Sequence, residues 1–103
     1  MKGATWNVRG LSALSKAKSI GKWLRDHDIC LVGLLEARTK SQKVNKVIDA
    51  IDASWKWETN NQFHSHVRIL VGLVVDQLQV QIVHIHKQFI LCKVTKRSNR
   101  EVI

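Results

Sequence analysis

Two short segments of this chain end in side chains suited to phosphate chemistry. Thr5-Trp6-Asn7-Val8-Arg9-Gly10-Leu11 carries Asn7, and Leu31-Val32-Gly33-Leu34-Leu35-Glu36 closes on Glu36. A carboxylate is a hard oxygen ligand of the kind that Mg²⁺ takes. An asparagine amide offers both a donor and an acceptor without charge, so it can orient a phosphate or a metal-bound water. Arg9 and Arg38 follow the two segments closely and could meet neighbouring phosphates. Together these types suit Mg²⁺-assisted hydrolysis of a phosphodiester, with Mn²⁺ as a substitute ion. Asn before a turn and Glu after a strand also occur on ordinary surfaces, so the elements that carry them matter.

Those elements can be read from periodicity. Ala4, Trp6 and Val8 alternate with Gly3, Thr5 and Asn7, which predicts a first strand over Lys2–Val8. Arg9-Gly10-Leu11 breaks it. Ala17, Ile20, Trp23 and Leu24 then recur at helical spacing, with Ser12 or Ser15 as the expected cap. Ile29–Leu35 is a continuous apolar run, as expected of a strand covered on both faces. In a parallel βαβ unit Asn7 and Glu36 emerge at one carboxyl edge, where open α/β sheets bind ligands.

Thr39 with Gln42 fits a capping box for a second helix. Its apolar stripe is Val44, Val47, Ile48, Ile51 and Trp55. Trp57–Gln62 turns polar, and Asn60-Asn61 signals a turn. Val67–Val75, Leu78–His86 and Gln88–Val94 then read as three antiparallel strands. Lys96–Arg100 reads as a polar turn, and Glu101–Ile103 as the first step of a further strand. The expected architecture is mixed α/β: βαβα followed by an antiparallel meander.

A chain of 103 residues is at most one domain. Lys and Arg number 17 against 8 Asp and Glu, an excess that favours an anionic partner, nucleic acid before an acidic membrane surface. The longest apolar runs are far too short to span a bilayer, and the N-terminus does not read as a signal peptide. Cys30 and Cys92 lack CxxC spacing, so buried reduced thiols and an intracellular setting are expected. His64-x-His66 and His84-x-His86 each put two imidazoles on one side of an extended segment. A solvated strand face is a better reading than zinc, because further ligands are not evident. Trp23 and Trp55 fit helix core stripes, Trp6 fits its strand, and Trp57 could be core or a base-stacking surface. Lys40, Lys43 and Lys46 share roughly one helix face, best read as solvated.

The wording of the segments narrows the chemistry. Thr5-Trp6-Asn7-Val8-Arg9-Gly10-Leu11, followed one helix later by Leu34-Leu35-Glu36-Ala37-Arg38, resembles the start of the endonuclease/exonuclease/phosphatase (DNase I-like) superfamily. More narrowly it resembles the endonuclease domain of plant LINE-type (non-LTR) retrotransposons. The likeness continues through Trp55, Val67-Arg68-Ile69-Leu70-Val71 and Gln88-Phe89-Ile90-Leu91-Cys92-Lys93-Val94-Thr95, so it covers essentially the whole chain. The resemblance implies the N-terminal half of a four-layer αββα sandwich. It implies DNA as partner, no membrane, and a nuclear location if the chain is expressed. It gives Glu36 the metal and Asn7 the orientation of phosphate and catalytic groups, with Asn7 beside the metal.

The family's remaining groups are a Tyr, an Asp-x-Asn pair and a C-terminal Asp-His. This sequence has no Tyr, and the rest would follow Ile103. Ser12 and Leu14 stand where this branch usually has Asn and Pro, and Leu70 and Leu73 where Trp is common. The expectation is a fragment of a Mg²⁺-dependent DNA endonuclease, inactive alone. The alternatives are a non-catalytic basic nucleic-acid-binding fragment and a decayed retrotransposon reading frame. A sheet face left without its partner would make the chain marginal, with an open edge after residue 94.

Overall fold

A computed structural model describes residues 2–60 and 66–97. The elements run β1 (Gly3–Asn7), α1 (Leu14–Asp26), β2 (Leu31–Leu35), β3 (Thr39–Lys40), a 3₁₀ turn (Ser41–Lys43), α2 (Val44–Asp52), β4 (Lys56–Thr59), β5 (His66–Val67), β6 (Leu70–Leu73), β7 (Leu78–Ile85) and β8 (Ile90–Lys96). The mixed α/β class expected from the sequence is the class observed.

Alternation builds the main sheet, in the order β1-β2-β6-β4. β1 and β2 are parallel, with Trp6 opposite Leu34 and Asn7 opposite Leu35. β6 lies antiparallel to both β2 and β4. One sheet face presents Ala4, Trp6, Val32, Leu34 and Leu70 to the two helices. There Ala17, Ile20 and Leu24 of α1 meet Val44, Val47 and Ile51 of α2 in one buried cluster. The helices touch closely because position 21 is glycine: a Cβ there would sit 2.0 Å from the Ile51 carbonyl oxygen. Arg25 secures the crossing, donating to that carbonyl at 3.3 Å and lying 3.6 Å from the Asp52 carboxylate.

The opposite sheet face is partly covered by the β7–β8 hairpin. Leu78 and Val94 bury with Cys30 and Leu73, flanked by Leu31, Val74, Val80 and Cys92. A bulge between Ile82 and His84 leaves Val83 outside the pairing. Both thiols are free. Cys30 is buried, and Cys92 is half-buried, its pKa raised by desolvation and by the nearby Glu58 carboxylate. Among the described residues no helix is long and apolar enough to cross a membrane.

Several local expectations fail for tertiary reasons. α1 starts after Ala13 with no side-chain cap, so neither Ser12 nor Ser15 serves. Thr39 caps nothing either. It is buried in β3, and its hydroxyl donates to the Leu11 carbonyl at 2.7 Å. α2 ends at Asp52, so Trp55 lies beyond the helix and stacks on Trp57. Trp57–Gln62 reads as a polar stretch, yet Lys56–Thr59 is the edge strand β4. Its Trp57 ring lies over Gly72, where a Cβ would meet the ring at 2.5 Å. Lys56 and Glu58 alternate with Trp57 and carry the polar face that disguised it. The span Val67–Val75 is two strands, and β6 inserts into the main sheet rather than pairing with β7 as a meander requires. Trp23 is 37% exposed, packing edge-on to Trp6 and stacking on His27. Asn61, His64 and the expected turn and strand across residues 98–103 lie outside the described residues.

Candidate active-site cleft

The ends of β1 and β2 are laced together in a short run of backbone bonds. Val8 N–H donates to Leu35 O, Gly10 N–H to Glu36 O and Leu11 N–H to Ala37 O, at 3.0, 2.8 and 2.7 Å. The Lys16 ammonium reaches back from α1 to the Val8 and Gly10 carbonyls. Asn7 and Glu36 therefore emerge at the same carboxyl edge, as parallel pairing dictates, and both are exposed.

This edge is also where non-glycine residues take left-handed backbone conformations. Arg9, Glu36 and Arg38 have φ of 49°, 54° and 49°; elsewhere among the described residues only Asp28 joins them. Such conformations cost of order 1 kcal/mol each and persist where surrounding contacts impose them. Here the imposing contacts are the bonds from Gly10 and Leu11, together with Ala37 N–H donating to Arg68 O at 3.0 Å. The alternation of φ turns the Glu36 and Arg38 side chains outward around buried Ala37.

Glu36 opens onto a cleft of about 560 Å³ lined by Leu35, Glu36, Arg38, His66, Arg68, Ile69, Lys87 and Gln88. Its lining carries one carboxylate among two guanidiniums, an ammonium and an imidazole. The Arg38 guanidinium lies 3.9 Å from the Glu36 carboxylate, a loose surface pair of little energetic weight. Asn7 and Arg9 share the edge but do not line the cleft. The structure thus joins Glu36 and Arg38 in one concavity, and leaves Asn7 and Arg9 beside it.

Sequence reading missed Asn60, Arg68, Lys87 and Gln88 as site residues. Asn60, taken for a turn residue, is 0% exposed and closes β4. Its Oδ1 accepts from the Arg68 and Ile69 N–H groups at 3.2 and 3.0 Å. Its Nδ2 donates to the His86 and Lys87 carbonyls at 3.4 and 2.9 Å. One side chain thereby joins the β5–β6 break to the β7–β8 turn. The local signal that could have found it was the alternation of Lys56–Thr59, which makes Asn60 a strand end rather than a loop.

The histidine pairs go separate ways. His66 lines the cleft. His84, His86 and Phe89 stack on the hairpin, His86 against Phe89 at 4.8 Å, and His86 Nδ1 accepts from Gln88 N–H at 3.1 Å. Among the described residues no three or more His, Cys, Asp or Glu side chains gather as a metal cage would require.

No protein-family model and no curated protein matches the sequence; the likeness to known proteins is in structure. A humanized TDP2 of D. rerio carrying 14 mutations matches with a TM-score of 0.63 at 17% identity, over 90% of this chain and 41% of that one. An endonuclease/exonuclease/phosphatase family protein from Bacteroides thetaiotaomicron matches at 0.64 and 10% identity, over 96% and 46%. A mannosyl-6-phosphatase of the same bacterium matches at 0.63 and 10% identity, over 98% and 48%. The chain has a partial DNase I-like α/β fold, that of the endonuclease/exonuclease/phosphatase proteins. It spans less than half the length of each of these structures.

Proposed function

We propose that this chain is part of a Mg²⁺-dependent DNA endonuclease of the plant LINE-retrotransposon kind, acting in the nucleus. The observation that carries the reading is Glu36, the one carboxylate in a basic cleft, at the parallel carboxyl edge it shares with Asn7. The donor set fits the ion. Mg²⁺ is commonly held by one or two carboxylates, with waters and substrate phosphates completing its shell. Glu36 would be the protein ligand, with the Asn7 amide oxygen beside it. When bound, the ion supplies Lewis-acid stabilisation of the charge that develops on phosphate oxygens.

The remaining chemistry belongs to the chain. The Asn7 amide donates to a phosphate oxygen and fixes its orientation. Arg38, loosely paired with Glu36, and Arg9, exposed on the same edge, would meet neighbouring phosphates of the strand. The chain has no Tyr and no Asp-x-Asn pair, and His66 is the imidazole that lines the cleft. Catalytic groups of this kind act as a unit, so the 103 residues alone are not expected to turn over.

Nicking of supercoiled plasmid in Mg²⁺ tests this, beside EDTA and Glu36→Ala controls. No nicking above the variant is expected, whereas Mn²⁺ titrated by electron paramagnetic resonance should bind the wild-type chain and not Glu36→Ala. Metal-dependent nicking would overturn the inactivity, and equal Mn²⁺ binding by both proteins would overturn Glu36 as ligand. A second reading, a non-catalytic nucleic-acid-binding fragment, draws on the net charge of +9 and the basic cleft lining. It expects DNA binding indifferent to Glu36→Ala and to Mn²⁺.

A further inference from the structure

We infer that Arg68 and Lys87 form a two-sided grip on consecutive phosphates of a polynucleotide strand, and that Asn60 is the positioning residue that sets their separation. The inference rests on the nucleic-acid reading above, but it concerns residues that the reading does not use.

Arg68 and Lys87 come from separate loops. Arg68 lies in the break between β5 and β6, and Lys87 in the turn between β7 and β8. Both are exposed and both line the cleft that holds Glu36. No ladder joins β6 to β7, because β6 belongs to the main sheet and β7 to the hairpin. The two loops are instead tied through one amide. Arg68 and Ile69 donate to Asn60 Oδ1, and Asn60 Nδ2 donates to His86 and Lys87. The partners fix the amide orientation, with two N–H groups on one side and two carbonyls on the other.

An amide using all four of its hydrogen-bonding positions, fully buried, defines a geometry that an apolar side chain could not. What it fixes here is how the backbones that carry Arg68 and Lys87 lie relative to each other. A lysine and an arginine brought into one cleft from two separate loops suit a chain of phosphates better than a single one. Each phosphate contact on duplex DNA releases condensed counterions, which makes binding strongly salt-dependent.

The test is binding of a 20-base-pair DNA duplex, a length of about two helical turns, to the full chain in EDTA, where no hydrolysis intervenes. Arg68→Ala and Lys87→Ala should each lower affinity roughly 5–10-fold at about 0.1 M salt and reduce the log–log salt slope by about 0.9. Lys46→Ala, on the exposed face of α2, removes the same charge away from the cleft and should do much less. Asn60→Asp keeps the acceptor for Arg68 and Ile69 but sets a carboxylate against the His86 and Lys87 carbonyls. In that background Lys87→Ala should have little further effect, while Arg68→Ala keeps its own; loss of stability alone would not produce that pattern.

Arg68→Ala and Lys87→Ala effects no larger than that of Lys46→Ala would overturn the grip while leaving Glu36 and the endonuclease reading standing. An undiminished Lys87→Ala effect in Asn60→Asp would overturn the positioning role. If Asn60→Asp does not fold, Arg68→Ala and Lys87→Ala decide the grip, and an undiminished Lys87→Ala effect in Asn60→Ser, whose shorter side chain cannot bond both loops, overturns the positioning role. Failure of the wild-type chain to bind the duplex would overturn both the grip and the nucleic-acid reading.

Discussion

The helix-backed side of the main sheet and the β7–β8 hairpin make different uses of apolar sequence. On the helix side Val8, Leu11, Leu24, Val32, Leu34, Val47, Ile51 and Leu70 are all buried, and two helices close over them. On the hairpin, Leu78 and Val94 are buried but Val83 is 58% and Leu91 53% exposed, with Phe89 also open. Strands of similar composition thus end in different environments, because burial depends on what lies across from a face. The helix side is a finished core. The hairpin is held by one small cluster, the Asn60 amide and its own ladder. Local unfolding begins where buried contacts are fewest, so the hairpin should open first.

The sharpest way to break the comparison is to truncate a side chain in each region. Leu34→Ala should cost about 3–4 kcal/mol and lower the urea midpoint of the whole chain. Leu78→Ala should cost less, about 2 kcal/mol, and show first as faster hydrogen exchange of β7 and β8 amides. Equal, global effects would mean that the two regions unfold as one. Next in size is Gly21→Ala, which forces α1 off the Ile51 carbonyl and should cost about 2–3 kcal/mol by the same urea titration. It should leave hairpin exchange relative to the core unchanged.

Smaller, and opposite in sign, is Glu36→Gly. Removing a side chain from a left-handed position relieves strain, so this variant should gain about 1 kcal/mol over Glu36→Ala in denaturant titration. It should still lose Mn²⁺ binding, so that the site's backbone trades stability for side-chain placement. A glycine no more stable than alanine would mean that the strain is absorbed elsewhere.

The smallest effect is at Cys92, whose thiol pKa is raised by burial and then by Glu58. The folded chain therefore favours the protonated thiol. That contribution is fully present below the ordinary thiol pKa and is lost as pH rises through the folded value. Alkylation by iodoacetamide in the folded state should need a higher pH than in urea, and Glu58→Gln should bring the folded profile down only slightly, since burial is the larger cause. Identical profiles folded and unfolded would show that the hairpin does not shield its inner face.

Much of the site was legible before the fold was known. Asn7 and Glu36 end apolar runs of strand type, and a helical stretch between them requires a parallel crossover, so their shared edge followed from periodicity. The stripe Val44, Val47 and Ile51 likewise became core, because helical spacing places those residues on one face whatever they meet. What local pattern could not supply was partnership. Thr39 read as a cap but bonds Leu11, and Trp55 continued a helical stripe yet lies past the helix. Trp57–Gln62 read as a polar stretch, yet its first residues belong to the edge strand Lys56–Thr59. Asn60 read as a turn because asparagine favours turns, yet it is buried among backbone groups from residues 68–69 and 86–87.

The physical reason is range. Alternation and helical spacing are properties of neighbouring residues, so the sequence by itself determined the types of β1, α1, β2 and α2, the carboxyl edge and the chain's excess of positive charge. Hydrogen bonds between distant loops, left-handed backbone at Arg9, Glu36 and Arg38, and the cleft joining Glu36 to Arg68 and Lys87 arise only when segments meet. Those the tertiary structure alone decided.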